Sequence, residues 1–423
     1  MPQAIAMPSI SPELPLEELL LYLKHAINQG NWETAVDIER QIQMRLVAMA
    51  LQELATDQAV AIEEEARLLL REAPDTDLPL TYSPERTNET KSASSTNGLV
   101  YPVWFGTNRK PRPNGRGFTQ ERGDSLIRGR VDVMVPEAHR FGETGSSFWK
   151  RLLRRTDDRL RIHYQERLEG DVFYEQVKTA IQWAREAQKE PHALLFLHGY
   201  NTDFEEAAIR AAQIGFDLNV PGPVAFFSWP SHGSVLSYLA DEATIEASER
   251  LITEFLIEFA AECQAAGVEK VHVIAHSMGN RGLLGAIQRI HQSAGLKVRF
   301  GQIILAAPDV DRDVFVEMAA LYHQHADRAT LYASRGDLPV YLSSRLHSAP
   351  RAGYFEPYTV VAGVDTIAVP DFNIDFLGHG YFAQAEALLQ DIYDLINTNT
   401  PPQSRLRVTA TTADGHSFWK IKK

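Results

Sequence analysis

The stretch Val271-His272-Val273-Ile274-Ala275-His276-Ser277-Met278-Gly279-Asn280 constrains the fold more than any other part of the chain. A run of β-branched and apolar residues ends in a small-x-Ser-x-small turn, and Arg281-Gly282-Leu283-Leu284-Gly285-Ala286-Ile287 then reads as the start of a helix. On so tight a strand-to-helix turn, neighbouring backbone leaves no room for large side chains two residues either side of the serine, and Ala275 and Gly279 are small. The serine hydroxyl is therefore expected at a strand end, presented as a nucleophile. The bland alternative is an ordinary helix N-cap, and the rest of the chain has to decide between the two.

Around this turn, strands and helices alternate. Residues 193–197 (ALLFL), 224–228 (VAFFS), 302–307 (QIILAA), 329–334 (ATLYAS) and 359–364 (TVVAGV) read as short strands. Helices are expected over about 171–189, 203–217, 241–265, 312–325 and 382–397. Wholly apolar strands separated by helices belong to a parallel sheet covered on both faces. The expected class is α/β, a doubly wound, mostly parallel sheet, with an N-terminal helical extension.

The chain divides by composition. Residues 1–73 form a helical arm, with one helix over 16–28 and a longer helical run beginning near Trp32; Leu19-Leu20-Leu21 reads as a buried seam. Residues 74–98, rich in Asp, Pro, Thr, Ser and Asn, form a linker. Residues 99–397 are one α/β domain, and residues 398–423 a tail with a hairpin around Asp414-Gly415. At the start of the domain, residues 99–105 and 130–135 read as strands. Residues 106–117 (GTNRKPRPNGRG) read as a basic, solvated loop that lacks the glycine spacing and terminal Lys-Ser/Thr of a phosphate loop.

Composition excludes some roles. A formal charge of −13 argues against a general binder of nucleic acid or anionic membrane. The single cysteine, Cys263, forms no intrachain disulfide. With no basic, apolar leader at its N-terminus and no apolar run of transmembrane length, the chain is expected to be cytoplasmic.

In a doubly wound sheet, reactive groups gather where loops leave the carboxyl ends of the strands. Ser277 lies there, as do Asp337 in Ser334-Arg335-Gly336-Asp337, His379 in Gly378-His379-Gly380, and the loop His198-Gly199-Tyr200-Asn201. A serine hydroxyl needs a base poised near neutral pH, and an imidazole supplies one. His379 is the expected base, ahead of His347 and His323, which fall within helices; Asp337 is expected to orient it, with Asp309 and Asp311 as alternative acids. Backbone N–H groups of Met278 and Tyr200 are the expected oxyanion donors. His276 and His198 read as supporting residues. Tyr200, Trp229, Tyr354, Phe372 and Phe382 suggest an apolar pocket, although such residues are also ordinary core. No His-Glu-x-x-His, paired-cysteine or nicotinamide fingerprint occurs, and His323 and His325 fall on different helix faces, so neither metal nor cofactor is expected.

Five motifs carry a family resemblance: FGTNR at Phe105 to Arg109, HGYN at His198 to Asn201, AHSMGN at Ala275 to Asn280, LAAPDVD at Leu305 to Asp311, and GHGYF at Gly378 to Phe382. With them, the stretch from about Leu99 to Ile396 resembles the α/β-hydrolase superfamily, and within it a bacterial, largely uncharacterised esterase-like branch. The resemblance implies a Ser-Asp-His hydrolase acting on small-molecule acyl esters, a carboxylesterase with a lipase or an acyltransferase as the nearest competitor. A reading of another class is a scaffold that works through the N-terminal helices, by binding a partner or forming a homo-oligomer.

Overall fold

The computed structural model describes residues 14–29, 98–113, 117–137, 160–232, 237–293, 298–335, 337–369 and 382–422. Single positions at 34, 38, 41, 42, 45, 46, 49, 62 and 139 are described besides. The chain divides into two compact units, residues 1–96 with 147–155 and 234–237, and residues 97–146 with 156–233 and 238–423.

In the first unit, helix α1 (Leu16–Asn28) is amphipathic. Leu16, Leu19, Leu20, Leu23 and Ala26, spaced by three and four residues, form one buried stripe with Ile38, Ile42, Leu46 and Ile62. Leu21 departs from the expected seam: it lies on the opposite side of the helix and is exposed. The linker expected over 74–98 lies outside the described residues up to position 97.

The second unit is built on a sheet of eleven strands among the described residues. Strands β1 (Gly98–Pro111), β2 (Phe118–Pro136) and β3 (Arg161–Leu168) form an antiparallel wing. Strands β4 (His192–Leu197), β5 (Val224–Ser228), β6 (Lys270–His276), β7 (Phe300–Ala306), β8 (Ala326–Ala333) and β9 (Val364–Ala368) follow in parallel, and β1 joins them beside β5. Strands β10 (Val408–Ala413) and β11 (His416–Ile421) form a hairpin whose turn, Asp414-Gly415, has positive φ at both residues, as an Asp-Gly turn favours. The order is β10-β11-β9-β8-β7-β6-β4-β5-β1-β2-β3, so β6, which leads to Ser277, sits in the middle.

Helices cover both faces: α2 (Gly170–Glu186), α3 (Phe204–Asp217), α4 (Tyr238–Ala265), α5 (Gly279–Gln292), α6 (Arg312–Met318), α7 (Ala320–His325), α8 (Leu338–Leu346) and α9 (Phe382–Thr398). The alternation of side chains along each strand assigns them. Ala193, Leu195 and Leu197 of β4 pack with Phe255 and Phe259 of α4 and Ile287 of α5. Leu194 and Phe196 turn the other way, onto Phe204 and Ala211 of α3 and Ile392 of α9. Strands buried on both faces are apolar at every position, which is why they lack a period in the sequence.

Three expectations about these elements are corrected. Residues 106–111 are strand rather than solvated loop: β1 runs through to Pro111, and Thr107, Asn108 and Arg109 are buried. Each finds a polar partner, Thr107 Oγ1 donating to the Ser228 carbonyl (2.6 Å) and Asn108 Nδ2 to Ser248 Oγ (2.9 Å), so burial leaves these donors satisfied. The strand expected over 359–364 begins only at Val364, because Gly363, with φ of +84°, turns the chain immediately before it. The helix expected over 312–325 is broken at Ala319 into α6 and α7.

Candidate active site

The turn from β6 into α5 holds Ser277 in the left-handed backbone region, with φ of +49°. A non-glycine residue is rarely found there, and its surroundings must hold it. The Ser277 N–H donates to the Ala306 carbonyl (2.9 Å), and its own carbonyl accepts from Asn280 N (3.1 Å), Asp309 N (3.2 Å) and Asn280 Nδ2 (3.0 Å). Asn280 Nδ2 also reaches the carbonyls of Ala275 (3.1 Å) and Ala306 (3.3 Å), tying β6, the turn and β7 to one amide. The helix N-cap falls on Met278. Ser277 is 4% exposed, and its Oγ has no hydrogen-bond partner among the described residues. A hydroxyl so placed is held by its backbone and left available for chemistry.

The loop after β4 lies against this turn. A β-carbon added to Gly199 would stand 3.0 Å from Ser277 Cβ, and one added to Gly279 would stand 2.8 Å from the Leu197 carbonyl oxygen. His198 is buried and stacked on Trp229, with ring centroids 5.1 Å apart, while Trp229 Nε1 donates to the His198 carbonyl (2.9 Å). Burial, assisted by the nearby Arg109 charge, pulls the His198 imidazole down to about 3. The neutral ring hydrogen-bonds through Nδ1 to the Gly199 carbonyl (2.7 Å). His198 is therefore a support of this loop, as expected, and Trp229 is core rather than pocket wall. Burial also pulls the Arg109 guanidinium down to about 10, which keeps it protonated at neutral pH.

The three aspartates have different surroundings. Asp337 follows β8, is 3% exposed and caps α8 by accepting from Val340 N (2.9 Å). Asp309 follows β7, and both its carboxylate oxygens are occupied: Tyr238 donates to Oδ2 and Ser343 Oγ to Oδ1 (2.5 Å). Arg281 (3.8 Å) and Arg351 (3.6 Å) face its Oδ1. Asp311 caps α6 by accepting from Asp313 N (2.9 Å) and Val314 N (3.2 Å).

The histidines divide likewise. His347 spans from the Ser343 carbonyl (2.9 Å) to the Glu242 carboxylate (2.9 Å), and His323 lies within α7. His379 and Phe372 lie outside the described residues. Ser277, Met278, Gly199, Tyr200 and Asp337 all follow the carboxyl ends of β6, β4 and β8, which the register keeps on one edge of the sheet: Leu197 pairs with Ala275, His276 with Ala306, and Ala306 with Tyr332. Sequence reasoning gave Asn280 and Arg281 no role of their own at the site; their place in the first turn of the helix after the serine was the available signal. Among the described residues, no group of three or more His, Cys, Asp or Glu side chains could hold a metal ion, and no helix is long and apolar enough to cross a membrane.

A family model described as "Alpha/beta hydrolase of unknown function (DUF900)" matches residues 175–397, just over half the chain. That span includes the HGYN, AHSMGN, LAAPDVD and GHGYF motifs and leaves FGTNR outside it. Among solved structures, an uncharacterized protein from Bacillus cereus ATCC 10987 is 12% identical with a TM-score of 0.32, over 92% of this chain and 100% of that one. A protein from Agrobacterium vitis S4, provisionally described as a hydrolase, is 11% identical with a TM-score of 0.30, over 71% of this chain and 98% of that one. No curated protein matches the sequence.

Proposed function

We propose, because the chain belongs to the family of alpha/beta hydrolases of unknown function, that it is a serine hydrolase opening carboxylic esters through an acyl-enzyme. Ser277 Oγ attacks the ester carbonyl carbon while His379 takes its proton. The tetrahedral oxyanion accepts hydrogen bonds from the N–H groups of Met278 and Tyr200, and Asp337 holds the imidazole and stabilises its charged form. The leaving alcohol departs with the proton from His379. Water then attacks the acyl-enzyme, again giving its proton to His379, and the carboxylic acid leaves as Ser277 recovers its hydrogen.

The observation that carries this reading is the Ser277 hydroxyl, buried on a turn with positive φ and free of protein hydrogen bonds among the described residues. A serine kept only for structure would satisfy that hydroxyl. Asp337 is favoured as the acid because it is buried where the chain leaves β8, whereas Asp309 is committed to Tyr238, Ser343 and two arginines, and the Asp311 side chain is about a third exposed.

A fluorophosphonate probe tests the reading without knowledge of the substrate. Wild-type protein should take one covalent label at Ser277, and the folded Ser277→Ala protein none. Hydrolysis of short-chain aryl esters should fall by at least about 10³-fold in that variant and in His379→Ala. An unlabelled, folded wild type would sink the proposal, and a series of esters graded by acyl length would define its substrate class.

A further inference from the structure

The loop after β4 is tied peptide by peptide, and two of the ties come from buried charges on distant elements. In a planar trans peptide the C=O and the following N–H point in opposite directions, so a bond to one aims the other. His198 Nδ1 takes the Gly199 carbonyl (2.7 Å), which turns the Tyr200 N–H the opposite way. The next peptide is held at both ends: the Tyr200 carbonyl accepts from Thr202 Oγ1 (3.1 Å), and Asn201 N donates to Asp241 Oδ2 (3.4 Å). Thr202 N donates to Ser231 Oγ (3.2 Å), and the Thr202 carbonyl accepts from Arg109 Nη2 (2.9 Å).

Arg109 and Asp241 meet through Ser231. Arg109 Nη1 donates to the Ser231 carbonyl (3.0 Å), and Ser231 Oγ donates to Asp241 Oδ2 (2.6 Å). Arg109 Nε holds Ser228 Oγ at the end of β5 (2.8 Å), and His232 N (2.8 Å) and Nδ1 (2.7 Å) reach Asp241 Oδ1. Arg109 is 1% exposed, Asp241 and Ser231 0%. Burying a charge is costly unless it is well paired, so the arrangement needs a return beyond packing. Asn201, with φ of +53°, also gives this loop a conformation that a free chain seldom adopts.

We propose that Arg109 and Asp241, bridged by Ser231, are positioning residues that hold the Tyr200 N–H in line with the oxyanion formed at Ser277. The inference rests on the ester-hydrolase reading of Ser277. The planar guanidinium supplies three donors in a rigid fork to two separate loops and to β5, which a lysine ammonium on a flexible stem does not reproduce.

The test is hydrolysis of p-nitrophenyl acetate by full-length Arg109→Lys, Ser231→Ala and, as a control, Asn108→Ala. Asn108 is equally buried on β1, but its amide binds Ser248 rather than the loop. In Arg109→Lys and Ser231→Ala, kcat should fall by about 10- to 100-fold with KM within about twofold, the range expected when an oxyanion donor loses alignment. The acidic limb of the pH profile should stay in place while its plateau drops, because the base is untouched. Asn108→Ala should keep its kcat. If Arg109→Lys fails to fold, Ser231→Ala, which removes one hydroxyl, decides alone. Unchanged kcat in the folded loop variants, or a loss wholly in KM, overturns the inference. A wild type with neither turnover nor fluorophosphonate label instead overturns the hydrolase reading, and the inference with it.

Discussion

A β-carbon on Gly279 would stand 2.5 Å from the carbonyl oxygen of His198. The first turn of α5 and the loop after β4 therefore meet backbone to backbone, and this closeness sets Ser277 beside Gly199. The obstacle is main chain and cannot rotate away. Gly279→Ala is expected to cost about 1–3 kcal/mol of stability and to lower ester turnover by displacing the turn. Urea denaturation checks the first outcome and p-nitrophenyl ester kinetics the second.

Asp337 and Asp309 should separate under the same conservative change. Asparagine can still accept from Val340 N, so Asp337→Asn should keep stability within about 1 kcal/mol while activity falls by roughly 10³-fold or more. Asp309→Asn removes the charge that Arg281 and Arg351 face and is expected to destabilise by about 3 kcal/mol. Thermal unfolding and kcat measured on both variants give the comparison; equal behaviour would argue against Asp337 as the triad acid.

Acid should destabilise the second unit before its carboxylates are protonated. Burial holds both His198 and His272 at about 3, so the fold keeps them neutral whereas the unfolded chain protonates them near 6.5. Folded pKa values depressed in this way give stability that is present above about pH 6.5 and lost as pH falls toward 3. At pH 5 each contributes a loss of about 2 kcal/mol by linkage. His272→Gln should flatten the dependence of unfolding free energy on pH between 4 and 6.5; an unaltered slope would contradict the assignment.

One buried cation ties the segment leading into the C-terminal hairpin to β8, β9 and α9. Arg405, fully buried in its side chain, reaches Asp391 (3.2 Å) and Asp365 (2.9 Å), and donates to Thr330 Oγ1 (3.2 Å). Removing it leaves Asp391, also buried, without its counter-charge. Arg405→Ala is expected to cost about 3–5 kcal/mol and to raise amide hydrogen exchange in β10 and β11 ahead of β6 and β7. Exchange that stays uniform across the sheet would show that the hairpin does not depend on this residue.

Much of the fold was legible because its signals are local. Wholly apolar strands alternating with helices made the α/β class readable, and α1 begins and ends where its leucine spacing places it. The Asp414-Gly415 turn announces itself by residue type. At the site, Ser277 was legible from the small residues flanking it, which the close approach at Gly279 accounts for. The commitment of Asp309 to Tyr238 and Ser343 was not, since those partners lie 71 and 34 residues away.

By itself, the sequence determined the alternation of strands and helices and the strand-to-helix turn at Ser277. Periodicity, small residues and turn chemistry act over a few positions and can be read there. Only the tertiary structure decided that Gly106 to Pro111 is strand, that Arg109 is buried, and that Arg109 and Asp241 bind the same loop after β4. A polar or charged side chain is exposed by default and stays buried only where acceptors or donors reach it. Those reaching Asn108 and Arg109 come from 93 to 140 residues away, a distance over which no local pattern operates.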